Sequence, residues 1–138
     1  MDVLEKVRQW LVTYPEWEEG NLLYIDFTDA VPGNTGLYPT GVEVVSRTED
    51  VLGQVTLRCR YHFSLYRVGC TAEEGADARW LLGFQDWVMQ QSAAGLAPRF
   101  GDEPGRETIR AERGKLKEKQ PGTSVYAVEL TVEFARKF

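Results

Sequence analysis

The chain has little of what most enzymes use. It holds one histidine, His62, and two cysteines, Cys59 and Cys70, among its 138 residues. Two cysteines are too few for a disulfide framework, and no metal-binding spacing surrounds them; both read as small hydrophobes or loop thiols. A second histidine or a cysteine cluster, the usual partners of a zinc ligand, is missing, so neither a metal nor a cofactor is expected. No apolar run approaches the roughly 20 residues that span a membrane as a helix. The opening stretch "MDVLEKVRQW" lacks a basic-then-apolar leader, which predicts a cytosolic chain without a membrane partner. An excess of positive charge is absent too. Acidic residues number 21 against 16 basic ones, a net charge of −5, which argues against a nucleic-acid coat.

What is present is an ordinary globular composition, 43% hydrophobic and 27% charged, with four Trp, six Tyr and six Phe as large core pieces. One domain over 1–138 with a sizeable core fits this length, and no internal repeat or low-complexity segment divides it. Val3, Val7, Trp10, Leu11 and Tyr14 recur at helical spacing, with Asp2 as cap and Pro15 as terminator. "LLYIDFT" reads as a strand, with Leu23, Ile25 and Phe27 on one side. The segment 29–41, "DAVPGNTGLYPTG", has two prolines and three glycines and reads as a long loop; such loops are more often functional than decorative. "VEVVSRT" (42–48) reads as a short strand.

The strongest signal runs from Val55 to Val68. Val55, Leu57, Cys59, Tyr61, Phe63 and Leu65 alternate with Thr56, Arg58, Arg60, His62, Ser64 and Tyr66. Such alternation predicts a long strand with one buried and one wet face. "TAEE" (71–74) is a capping-box pattern. It precedes a helix lined by Ala76, Trp80, Leu81, Phe84, Trp87, Val88 and Gln91 and closed by Gly95 and Pro98. "RETIRAERGKL" (106–116) predicts a charged strand near an edge, and "KEKQPGTS" a hairpin loop. In "VYAVELTVEF" Tyr126, Val128, Leu130, Val132 and Phe134 read as buried, while Ala127, Glu129, Thr131 and Glu133 read as exposed. The fold class is α+β: a mostly antiparallel sheet of four or five strands with two helices on one face, in the order α-β-β-β-α-β-β.

"RCRYHFSLYR" (58–67) is where chemistry would be sought. A catalytic histidine needs an orienting carboxylate and a nucleophile or substrate beside it. His62 lies on the wet face between Arg60 and Ser64, where a lone histidine is far more often surface polarity. Base-stacking readers of nucleic acid need aromatics interleaved with cations on one face. Tyr61 and Phe63 alternate to the other side, so Arg58 and Arg60 are expected to pair with Glu129, Glu133 or Glu112 across the sheet. "PGNTG" lacks the lysine and helix entry of a phosphate loop, and no glycosidase-like carboxylate pair stands out. No catalytic residue is assigned.

Surface is the unusual feature. The polar sheet face has no helix to cover it, and the 29–41 loop carries Val31, Leu37 and Tyr38 as exposed candidates. The expected interaction surface is therefore Val31, Leu37, Tyr38, Arg58, Arg60, His62, Glu129 and Glu133. The bland alternative has the loop folding back over a sheet edge.

The segments "VLEKVRQWLVTYP", "LLYIDFTDAVPGNTGLYPTG", "LRCRYHFSLYR", "WLLGFQDWVMQQSAAGLAPRFGDEP" and "YAVELTVEF" cover nearly all the chain. Their overall pattern resembles the small tail-completion proteins of tailed bacteriophages, the tail-terminator or "minor capsid" type of prophages in Gram-positive gut bacteria. The resemblance implies a structural protein rather than an enzyme. It implies a ring, commonly of six subunits, that caps the tail-tube protein, ends polymerisation and meets the head–tail connector. It further implies assembly in the host bacterial cytoplasm and residence in the virion tail. Some relatives with this pattern carry a chloramphenicol-resistance label, but acetyl transfer to that drug uses a histidine in an "HxxxDG" setting, and the histidine here stands in "HFSLYR". Two other classes stay open. One is an adaptor module of a mobile element with one protein partner; the other is a small enzyme centred on His62, which would need a deep pocket and a carboxylate within hydrogen-bond reach.

Overall fold

Asp2 and the aromatic side chains of two helices organise one side of the molecule. A computed structural model of the chain describes residues 2–29, 31–70, 75–101 and 107–138. Its elements are α1 (Val3–Leu11), β1 (Leu23–Ile25), β2 (Thr35–Glu49), β3 (Val55–Cys70), α2 (Ala76–Ala93), β4 (Thr108–Gln120) and β5 (Thr123–Lys137). The Asp2 carboxylate accepts from the Glu5 amide at 2.9 Å and so satisfies one orphan donor of α1. The helix ends at Leu11, three residues earlier than the spacing suggested; Tyr14 stays buried in the turn that follows. The capping-box pattern at 71–74 lies outside the described residues. At the far end of α2, Gly95 takes a left-handed φ of 72° and its amide reaches the Ser92 carbonyl, which stops the helix where the sequence places the stop.

The five strands form one sheet in the order β1-β2-β3-β5-β4, antiparallel throughout except for the short β1–β2 pair. This is the α+β class and element order that the sequence predicts. Both helices lie on one face. There Phe63, Leu65, Val128, Leu130, Val132 and Phe134 meet Val7, Leu11, Leu81, Phe84 and Val88. Trp10 stacks on Trp87 at 4.7 Å, and its indole N–H donates to Gln91 at 3.2 Å, joining the two helices directly. Phe84 sits at the centre, stacked on Trp80 and edge-on to Tyr14.

Three further boundaries and the burial of one side chain differ from expectation. β2 starts at Thr35, inside the stretch read as loop, because Leu23, Tyr24 and Ile25 pair with Thr35, Gly36 and Leu37. Gly36 permits this: a Cβ there would strike the Phe27 carbonyl and the Thr28 hydroxyl as the chain doubles back. β1 is short because Asp26 adopts a φ of 56°, turning the chain, so Phe27 ends up exposed. The β4–β5 connection is the tight turn at Pro121–Gly122, and "KEKQ" is strand rather than loop. Finally, Ala127 is buried rather than exposed. Its methyl group lies between the cross-strand neighbours Tyr66 and Lys115, both with far longer side chains.

The strands outrun the helices. Sixteen residues of β3 extend about 53 Å, whereas the eighteen residues of α2 cover about 27 Å. The core therefore occupies the middle of the sheet, and the β2–β3 and β4–β5 turns lie at its two ends, each flanked by a third strand, since β3 and β5 pair along their whole length. Phe84, 0% exposed, is the element of that core with the most to lose: Phe84→Ala is expected to cost about 3–5 kcal/mol. Urea unfolding followed by circular dichroism measures it, and a cost below about 1 kcal/mol would show that α2 is not seated as described.

Candidate interaction surface

On β3 the period of two sends Arg58, Arg60, His62, Ser64 and Tyr66 away from the helices. Register then supplies their partners. Arg60 lies directly opposite Glu133 of β5 on one side and Glu43 of β2 on the other. The Glu133 carboxylate accepts from Arg58 Nε at 2.8 Å and from Arg60 Nε at 3.2 Å. Glu43 stands 3.7 Å from both Arg60 Nη1 and His62 Nε2. His62 Nδ1 lies 3.3 Å from the Thr131 hydroxyl. These groups are half-exposed, so each pair contributes about 0–1 kcal/mol; the cluster pins register and sets surface charge more than it stabilises.

The expected pairing with Glu133 is present, while those with Glu129 and Glu112 are not. Glu129 and Glu112 lie opposite each other across β5 and β4, an unfavourable like-charge position. Each turns to an arginine of β4 instead: Glu129 to Arg113 at 3.1 Å, Glu112 to Arg110 at 2.8 Å. Glu129 thus stands apart from the Arg58, Arg60, His62 and Glu133 group.

His62 borders a concavity of about 280 Å3 whose other lining residues, Val3, Leu4, Pro39, Gly41, Val42, Tyr61 and Phe63, offer it no carboxylate. No group of three or more His, Cys, Asp or Glu among the described residues could hold a metal ion. Cys59 is buried in the core and Cys70 is exposed at the end of β3; both are free thiols.

The 29–41 segment is not a free arm. Gly33 N–H donates to the Val68 carbonyl at 2.7 Å, and Val68 N–H donates back to Asn34 at 3.0 Å. The Asn34 side chain accepts from Leu22 N–H and donates to Asp29. Leu37, expected on the surface, is 0% exposed because its strand position faces the core. Tyr38 is half-buried, held by its hydroxyl 2.5 Å from Thr28 and edge-on to Tyr66. Val31 alone of the three is exposed. Residues 35–41 are the start of β2, and Gly33 and Asn34 extend its pairing with β3, so the segment is a strand of the sheet rather than a cover over its edge, with Asp29 as the knot of the turn before it. Partial desolvation pushes the Asp29 carboxyl upward, but hydrogen bonds from Val31, Asn34 and Tyr24 outweigh it and hold the group below the usual aspartate range.

Three features escape a reading by alternation alone. Arg67 continues the inward parity of Leu65 and lies over the Trp80 ring at 4.1 Å, where burial lowers its pKa against the counter-pull of Asp77, Glu18 and Tyr14. The parity of β3 extended by one step would have found it. A cavity of about 740 Å3 opens on the helix-free face, walled by Tyr38, Ser64, Tyr66, Val68, Lys117 and Thr123. It needs four separate segments and leaves no local signal. The β2–β3 hairpin exposes Val42, Val44, Val45, Val51 and Leu52, the last two at 101% and 91%. "VEVV" and "DVLG" are the apolar stretches that carry this exposed surface.

No protein-family model matches the chain, and no curated protein matches it.

The hydrogen bonds at Asp29 give a pH test. A carboxyl depressed in the folded state stabilises above its unfolded pKa, near 3.9, and loses that contribution as pH falls through the lower folded value. Asp29→Asn should lower stability by about 1 kcal/mol at pH 7, with the gap to wild type closing as pH drops below about 4. Urea midpoints at pH 7 and pH 3 check it; an equal gap at both would contradict the assignment.

Proposed function

We propose that the chain is a structural protein of a tailed phage or prophage that closes the tail tube as a ring, ends tail polymerisation and prepares the head–tail joint. The observation that carries this reading is the β2–β3 hairpin, which leaves five aliphatic side chains exposed. Apolar surface of this kind favours coverage by a partner. Two bare strand edges point the same way. β1 covers β2 only from Thr35 to Leu37, and β4 ends the sheet on the other side. A closed ring covers such edges by repeating one contact around an axis.

The likeness in pattern to tail-terminator proteins supplies the rest: the tail-tube protein below, the connector above, assembly in the host bacterial cytoplasm and a final place in the virion tail. In such a ring the Arg58, Arg60, His62 and Glu133 cluster faces a neighbouring subunit or the channel. With Glu43 counted, its two arginines face two carboxylates, a balance that suits a contact formed without strong steering. The role requires no reaction, and no residue is given a catalytic part.

Deletion of the gene from an inducible prophage, followed by electron microscopy of the particles, tests the proposal. Overlong tails without heads are expected. Tails of normal length joined to heads in infective particles would refute it.

A further inference from the structure

The two edges of the sheet run in opposite directions. Three successive antiparallel pairs, β2–β3, β3–β5 and β5–β4, leave β4 pointing against β2. A second copy set beside the first in the same orientation therefore brings its β2 antiparallel to β4, the pairing the sheet already uses.

Each edge is bare over only part of its length. β1 covers β2 at Thr35, Gly36 and Leu37, and Asp26, with a φ of 56°, then turns the chain away. On β4 the Ile109 amide donates to the Ser92 hydroxyl at 3.1 Å, and the Ala111 carbonyl accepts from Gln85 at 3.2 Å. Side chains of α2 thus occupy the first part of that edge. The open stretches are β2 from Tyr38 onward and 113–120 on β4.

With Tyr38 opposite Gln120, residues 38–45 match 113–120 one for one. The irregular steps coincide: those of β2, at Pro39/Gly41 and Val44/Ser46, face those of β4, at Leu116/Glu118 and Glu112/Lys115. Faces agree as a result. Glu43 meets Lys115 on the helix-free side, and Val42 meets Leu116 on the helix side. Charge agrees as well. Residues 113–120 carry Arg113, Lys115, Lys117 and Lys119 against Glu118, while 38–45 carry Glu43 alone, and no like charges are opposed. Gly114 lies against Leu81 of α2, so no β4 side chain stands between its new neighbour Val44 and the helix. At 100° per residue, the exposed Leu82 and Met89 lie on the flank of α2 next to Gln85 and Ser92, which reach the β4 edge.

We propose that residues 38–45 of one copy pair antiparallel with 113–120 of the next, Glu43 against Lys115, with Val42 and Val44 laid on Leu116 and Leu82. Agreement in direction, bare length, irregular steps and charge names a second copy as the occupant. Pro39 lacks one donor, a loss an edge strand tolerates. The contact joins two different edges, so it repeats head to tail into a ring or a filament. This pairing rests on the ring reading for its closure and deepens it by naming the edges that meet.

In the full chain carrying Cys70→Ser, Glu43→Cys with Lys115→Cys should give a ladder of disulfide-linked copies under mild oxidation, because opposed strand positions lie within disulfide reach. Thr48→Cys with Lys115→Cys, about 17 Å out of register, should stop at linked pairs. Sedimentation should show association weakened about fivefold or more by Lys115→Glu and by Val44→Asp. Adding Glu43→Lys to Lys115→Glu should recover part of that loss. An associating chain that gives no ladder and ignores Lys115→Glu overturns the edge pairing and leaves a ring built on other surfaces. A folded chain that stays monomeric at every concentration overturns it too. A ladder together with tails of normal length in the deletion phage upholds the pairing and refutes the tail role.

Discussion

A sheet of strands about 50 Å long cannot be covered by helices half that length. Everything distinctive about the molecule follows from this mismatch. The two helices can shield only one face and only its middle, so the core gathers there and the sheet ends extend beyond the helix layer. The aromatic stack joining Trp10, Trp87, Phe84 and Trp80 concentrates apolar area where the helices cross the central strands. Burial of that kind is worth most where packing is dense, and it leaves little apolar material to stabilise the periphery.

Beyond the helix layer, other forces take over. On the open face, cross-strand pairs such as Arg58–Glu133 and Arg113–Glu129 hold register at modest energetic value, since water still reaches them. The turns are fixed by backbone economy, with Asp50 satisfying the amides of its own hairpin and Gly122 permitting the tight turn between β4 and β5. Stability is thus graded from a dry centre to wet ends. The ends are also where the surface is least self-sufficient.

That gradient joins the fold to the proposed role. A subunit that must lock onto copies of itself and onto larger assemblies benefits from a rigid middle and from projecting elements whose apolar and charged groups are unsatisfied alone. Val51 and Leu52 on a stiff turn, lysines on the opposite hairpin and bare outer edges on β2 and β4 are features of this kind.

Periodicity alone was enough to read the helices, the inward faces of β3 and β5, the wet parity of Arg58, Arg60 and His62, and the α+β class. These depend on side chains a few residues apart, so the chain states them locally. Tertiary structure decided what depends on distant neighbours. Leu37 is core and not surface because its place on β2, opposite Leu65 of β3, faces the helices, a contact no local pattern encodes. Glu129 turns to Arg113 and not to the β3 arginines because the β4 register sets Glu112 against it. The cavity beneath the β4–β5 hairpin exists only when four segments converge. Local sequence specifies which face of an element is apolar; which elements meet, and which apolar faces are left without a partner, is settled by the packing of the whole chain.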